Sequence, residues 1–115
     1  MFKINLLINF FKIKKFFSSL KNNNIQIKNY LKNSKIIIKG NKNLVLIKKS
    51  DIKRLKVGIY GENNTLEIYD NCMLRDTNII IQGNNLRITI KNNCEIGGAT
   101  IVCAGENSSI HIDEQ

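Results

Sequence analysis

Histidine, cysteine and paired carboxylates are the residues with which a small chain could do chemistry, and here few of them are placed to do it. His111 is the single His of the 115 residues and lies between Ile110 and Ile112. An imidazole can serve as a general base near neutral pH, yet its place in an alternating apolar run makes His111 an outward strand position. Cys72, Cys94 and Cys103 are odd in number and widely spaced, which gives neither a disulfide framework nor the C-x-x-C of a zinc site. Buried free thiols are expected. Asp70, Asp76, Glu95 and Glu106 are scattered rather than paired and read as a solvated face. Gly97-Gly98 has no Lys followed by Ser or Thr beyond it, so it is a tight corner rather than a phosphate loop. Asn63-Asn64-Thr65 and Asn107-Ser108-Ser109 have the form of glycosylation acceptors, but without a secretory signal they read as corners. These residues therefore assign no catalytic, cofactor-binding or metal site.

The other candidate for function is charge. Residues 1–35 hold eight Lys and no acid, whereas 36–115 hold ten Lys and Arg against nine Asp and Glu, so the net charge of +9 divides as +8 and +1. Leu6, Phe10, Ile13, Phe17 and Leu20 recur at steps of four and three, which predicts a basic amphipathic helix over 1–21. Two placements are open to it. It could cover the end of the domain behind it, or rest on an anionic membrane with Phe among the acyl chains and Lys among the headgroups. Nucleic acid is not expected, because no binding motif appears and the whole chain has three Arg. Lys12, Lys14 and Lys15 interrupt the apolar run from Phe2 to Phe17, so it does not span a bilayer. Its Lys residues follow the apolar stretch rather than precede it, which does not fit a signal peptide. A cytoplasmic location, peripheral at the inner membrane face if the helix binds lipid, is the expectation.

The body that would carry these groups is a repeat. Ile alone supplies 21 residues, enough β-branched bulk for a strand-rich core. When Gly40, Gly61, Gly83 and Gly105 are superposed, apolar residues stand four and two places before each Gly: Ile36 and Ile38, Val57 and Ile59, Ile79 and Ile81, Ile101 and Cys103. Such alternation is the signature of a strand. A second inward pair follows each Gly at five and seven places: Leu66 and Ile68, Ile88 and Ile90, Ile110 and Ile112, with Leu44 and Leu46 in the first repeat if that repeat is shortened before them. Cys72 and Leu74, then Cys94 and Ile96, form a third pair, to which Asp51 and Ile52 correspond in the shorter repeat. Asn63-Asn64, Asn71, Asn84-Asn85 and Asn92-Asn93 punctuate the strands, as suits the non-Gly residue that best takes left-handed angles. The pattern predicts an all-β parallel β-helix over 22–115, three short strands per coil of about 22 residues, its rungs about 4.8 Å apart. Ile25, Ile27 and Leu31 mark an upstream rung, and the charged run 49–56 predicts a bulged corner. Ile81, Ile88, Ile90, Cys94 and Ile96 should lie inside, with Gln82, Arg87, Thr89 and Lys91 facing solvent.

From Ile36 to Asp113 the sequence resembles the leading coils of bacterial hexapeptide-repeat acyltransferases, the left-handed β-helix family that includes sugar and lipopolysaccharide O-acetyltransferases. The resemblance lies in Ile79-Ile80-Ile81-Gln82-Gly83-Asn84-Asn85 with Ile88-Thr89-Ile90-Lys91-Asn92-Asn93-Cys94-Glu95-Ile96, and in Gly61-Glu62-Asn63-Asn64-Thr65-Leu66-Glu67-Ile68-Tyr69-Asp70-Asn71-Cys72. Steps of six, Leu66 to Cys72 and Ile88 to Cys94, fit the hexad; the longer step at the remaining corner matches only the looser branch. The resemblance implies acetyl transfer from acetyl-CoA to a sugar hydroxyl of a cell-surface glycan, a trimer, and a catalytic His in later coils. No Asp-Gly-His occurs here, so this stretch would be a segment without the catalytic coil, and acetyl-CoA is not expected to bind it alone. The alternative is a non-enzymatic β-solenoid, a scaffold or a membrane-surface binding module.

Overall fold

The computed structural model describes residues 3–6, 13–18, 22–29 and 31–114. They wind into a parallel β-solenoid of about four turns. One face stacks Lys3–Leu6, Asn24–Ile27, Leu44–Ile47, Thr65–Ile68, Arg87–Ile90 and Ser109–Ile112 in chain order. The other sheet runs through Ile13–Ser18, Ser34–Lys39, Asp51–Glu62 and Met73–Asn84, and it is bent along its length. Pairing between the two long strands skips from Lys53 and Arg75 to Leu55 and Thr77, and the skipped residues, Arg54 and Asp76, have φ of +54° and +51°. The bend divides that sheet into a short facet, with Leu31–Lys32 and Glu95–Gly97, and a long one that continues into Thr100–Glu106. Each coil therefore has three sides and three corners.

Inward side chains form one apolar column per strand position. Val45, Leu66 and Ile88 stack with Ile25, as Ile47, Ile68 and Ile90 do with Ile27, and all are buried. Ile36, Val57 and Ile79 fill the long facet in the same way. Burying one Ile or Leu is worth about 1.5–3 kcal/mol, so this interior is the main source of stability. Ile96, Ile101, Ile110 and Ile112 of the last coil are only partly buried.

Three expectations about the register change. In the first repeat Val45 and Ile47 point inward while Leu44 and Leu46 lie half-buried on the outside. Val45 and Ile47 stand five and seven places after Gly40, the same offsets as in later coils. The missing residue falls at the next corner, where two residues separate Ile47 from Ser50 and three separate Ile68 from Cys72. Accordingly the left-handed Asn71 and Asn93 have no counterpart there. Ser50, rather than Asp51, is the partner of Cys72, whose backbone N–H donates to Ser50 Oγ at 3.0 Å; Asp51 pairs with Met73 and is exposed. Thr89 is turned outward but only 3% exposed.

The helix expected over 1–21 is not seen among the described residues. Lys3–Leu6 and Ile13–Ser18 are strands, paired in parallel with Asn24–Ile27 and Ser34–Lys39; 1–2, 7–12 and 19–21 lie outside the described residues. The physical reason is the neighbouring edge. Exposed N–H and C=O groups of Asn24–Ile27 offer a ready template, and Ile and Phe suit a strand at least as well as a helix.

Candidate functional site

The corner between the long facet and the first face is built from glycine and asparagine. Gly40, Gly61 and Gly83 have φ near +134°, +133° and +141°, and a Cβ on any of them would come within 1.9 Å of the carbonyl oxygen of the next Gly in the column. Two residues on stands a left-handed residue, Lys42, Asn63, Asn85 or Asn107. The residue after that turns inward in every described coil but the last, where Ser108 is exposed. Asn23, Asn43 and Asn64 are buried at that position as a ladder: each Oδ1 accepts from the backbone N–H of Asn43, Asn64 or Leu86 at 2.9–3.0 Å, and each Nδ2 donates to the carbonyl of Gly40, Gly61 or Gly83 at 2.9–3.0 Å. The ladder satisfies main-chain groups that the turn removes from the sheets. Its side chains are buried and turned to the main chain rather than to solvent, so this corner reads as structural.

The thiol corner is also internal. Cys72 and Cys94 are buried and free, and so is Cys103 on the long facet. Cys72 Sγ lies 3.0 Å from the carbonyl of Lys91, and Cys94 Sγ 3.6 Å from that of Ile112. Burial first, and then neighbouring Cys72, push the Cys94 thiol up from its ordinary value, which keeps it neutral and a poor nucleophile.

The outer surface of the first face carries the remaining chemistry. Glu67, Thr89 and His111 stand in register on three successive coils. Arg87 Nη1 pairs with Glu67 Oε1 at 2.9 Å, and Thr89 Oγ1 donates to the same oxygen at 3.3 Å. Glu67 is thus engaged on its own column, while the exposed His111 side chain has no hydrogen-bond or ion-pair partner among the described residues. An imidazole with nothing to fix its tautomer or orient it lacks the support that a catalytic base receives. Sequence reasoning placed His111 outward beside Thr89 and Glu67, and the register agrees. The scattered acids are not gathered: Asp76 binds Arg54, Asp70 accepts from the backbone N–H of Lys49, and Glu95 and Glu106 are exposed. Among the described residues no group of three His, Cys, Asp or Glu could hold a metal ion, and no helix is long and apolar enough to cross a membrane.

What the coil does gather is positive charge at one end of its axis. Strands stack in chain order, so position in the sequence is position along the axis. Residues 1–60 hold 15 Lys and Arg against one acid, and 61–115 hold 3 against 8, giving +14 and −5. The boundary is bridged by Arg54 with Asp76 and by Arg75 with Asp51, the latter at 2.6 Å. Both carboxyls lie below the ordinary carboxylate value, chiefly because each accepts a hydrogen bond from its Arg. A division at residue 35 does not show this polarity, because it averages the Lys residues of 36–60 with the acids of later coils. No protein-family model, curated protein or solved structure matches the chain.

Proposed function

We propose that the chain is a non-catalytic coil segment of an acyl-transferring β-solenoid, the kind of protein that moves an acetyl group from acetyl-CoA to a sugar hydroxyl of a cell-surface glycan. The observation that supports this is the coil itself: three-sided rungs with inward apolar pairs six residues apart at Leu66 and Cys72 and at Ile88 and Cys94, turning through Gly and Asn. Left-handed winding and trimeric assembly belong to the same reading. Acetyl-CoA would be the donor substrate, and none of the described residues is assigned to it. The 115-residue chain should therefore release no thiol from acetyl-CoA in the presence of hexoses or glycan acceptors, and light scattering should give three times its 13.2 kDa mass. Turnover that disappears in His111→Ala would overturn the reading, as would a monomer.

A second reading is favoured by a different observation, the charge polarity along the axis. In it the solenoid is a non-enzymatic, rigid module that binds an anionic surface through its basic coils. Binding of the inert, monomeric chain to an anionic partner would put this reading first.

A further inference from the structure

The basic end is a ring of lysines rather than a stripe. In the first two fully described coils the glycine–asparagine corner carries Lys39 and Lys42, and the thiol corner carries Lys28, Lys48 and Lys49. The bend at Arg54 is flanked by Lys32 and Lys53 on the short facet and by Lys35 and Lys56 on the long one. None of these lysines forms an ion pair among the described residues, and the sequence has no Asp or Glu before Asp51 to neutralise them from residues outside that set. No lysine column runs beyond three rungs. Lys32 and Lys53 are followed by Arg75, already bound to Asp51; Lys15, Lys35 and Lys56 are followed by Asn78.

That shape selects among anionic partners. A linear polyanion needs a long row of cations down one side to follow its backbone, and no side of this prism continues one. A ring at all three corners, confined to a depth of about two rungs, or roughly 10 Å, instead faces a plane lying across the end of the coil. The depth is comparable to the Debye length at physiological ionic strength, about 8 Å, and the strands Lys3–Leu6 and Ile13–Ser18 lie between the ring and a plane across that end, so the nearer of the two rungs feels a charged plane there more strongly than the farther one. The strands Lys3–Leu6 and Ile13–Ser18, with three Lys, two Phe and no acid in their sequence, pair on the upstream edges of Asn24–Ile27 and Ser34–Lys39, at this same end. The acidic coils at the far end would be repelled by a negative plane, which disfavours lying flat.

We infer that the solenoid docks end-on upon a bilayer containing anionic lipid, basic coils against the headgroups, axis along the bilayer normal and acidic coils pointing away. The inference rests on the surface-binding reading and holds whether or not the chain also belongs to an acyl-transferring protein.

The test is flotation of the intact chain with phosphatidylcholine vesicles, with and without phosphatidylserine, at low and physiological salt. Three variants neutralise one corner each: Lys39→Gln with Lys42→Gln, Lys28→Gln with Lys49→Gln, and Lys53→Gln with Lys56→Gln. A fourth, Glu95→Gln with Glu106→Gln, alters the acidic end. Unchanged thermal unfolding shows that each variant is folded, and where one is not, Arg in place of Gln at the same positions must restore both folding and binding. End-on docking expects binding only to the anionic vesicles, weakened by salt, reduced about tenfold to thirtyfold by each of the three corner pairs, and not reduced by the acidic-end pair. Loss in one corner variant alone would overturn the end-on geometry. Equal binding to neutral vesicles would overturn its electrostatic basis. Binding of heparin or single-stranded DNA with no vesicle binding would sink the membrane inference and leave the surface-binding reading standing; binding to none of them would remove both.

Discussion

The same corner is turned in two ways along the coil. In the basic half and just across the charge boundary its inner residue is Asn23, Asn43 or Asn64, an amide bonded to main-chain groups of the next corner in the column; deeper in the acidic half the equivalent residues are Leu86, which is buried, and Ser108, which is exposed. Yet φ at the preceding residue barely changes, from +59° at Lys42 and Asn63 to +57° at Asn85 and +55° at Asn107. The turn is therefore set by backbone conformation and by the glycine column, and the amide ladder is a means of pairing polar groups within a turn already made. The halves share a backbone and differ in what fills it and in the charge outside it.

The sharpest division along the coil should appear in the glycines, between the stacked corners at Gly40, Gly61 and Gly83 and the last one at Gly105. Gly61 and Gly105 both have left-handed φ, +133° and +103°, but a Cβ on Gly61 would sit 1.8 Å from the carbonyl oxygen of Gly83, whereas on Gly105 it would meet nothing within 4 Å. Gly105→Ala should cost only its backbone strain, about 1–3 kcal/mol. Gly61→Ala adds a backbone collision that no side chain can relieve, and the total should reach the exceptional range above about 4–5 kcal/mol. Urea unfolding of the two variants measures the difference; equal losses would mean that stacking does not fix the corner.

The ladder itself comes next in size. Asn64→Ala deprives the N–H of Leu86 and the carbonyl of Gly83 of their partners, at about 1–3 kcal/mol for each buried group left unpaired. Leu86→Asn gives up a buried Leu, worth about 1.5–3 kcal/mol, but offers an amide whose main-chain hydrogen bonds return about 0.5–1.5 kcal/mol each, so its net loss should be the smaller of the two. If Asn64→Ala were as mild as Leu86→Asn, corners with and without the amide would be held alike and the ladder would be incidental.

How far the sequence discloses this arrangement depends on whether a residue's neighbours lie in its own coil or the next. Period-two runs before each Gly, the coil length and the burial of Ile81, Ile88, Ile90 and Cys94 are legible because strand alternation is local. Leu44-Val45-Leu46-Ile47 misleads because it is apolar on both faces and has no alternation to fix its register. In Asn63-Asn64 the first Asn takes the left-handed angle and the second goes inside; composition names both as corner residues and cannot divide the roles. The cue was present in spacing, since Asn23, Asn43 and Asn64 each stand one place after the left-handed residue. Thr89 looks like a solvated position until Arg87 and Glu67 pair beside it, a contact between coils 20 residues apart. In the candidate site, the outward place of His111 was readable, and the lysine ring was not, because it exists only once the coils are stacked.

The smallest effect concerns the ion pairs where the halves meet. Asp51 and Asp76 accept from Arg75 and Arg54, and their carboxyls are held below the ordinary value mainly by those hydrogen bonds. A depressed carboxyl stabilises the fold above the unfolded-chain value, about pH 3.9, and that contribution is lost as pH falls through the lower folded value. Both carboxylates are well exposed, so solvent and salt screen the pairs and the effect should be slight. The double variant Asp51→Asn, Asp76→Asn should melt slightly below the parent at pH 7 in low salt, with the gap narrowing in 1 M salt and again below pH 3.9 as the parent's carboxylates protonate. A gap that persisted at pH 2.5 would show that these side chains join the halves by packing rather than by charge.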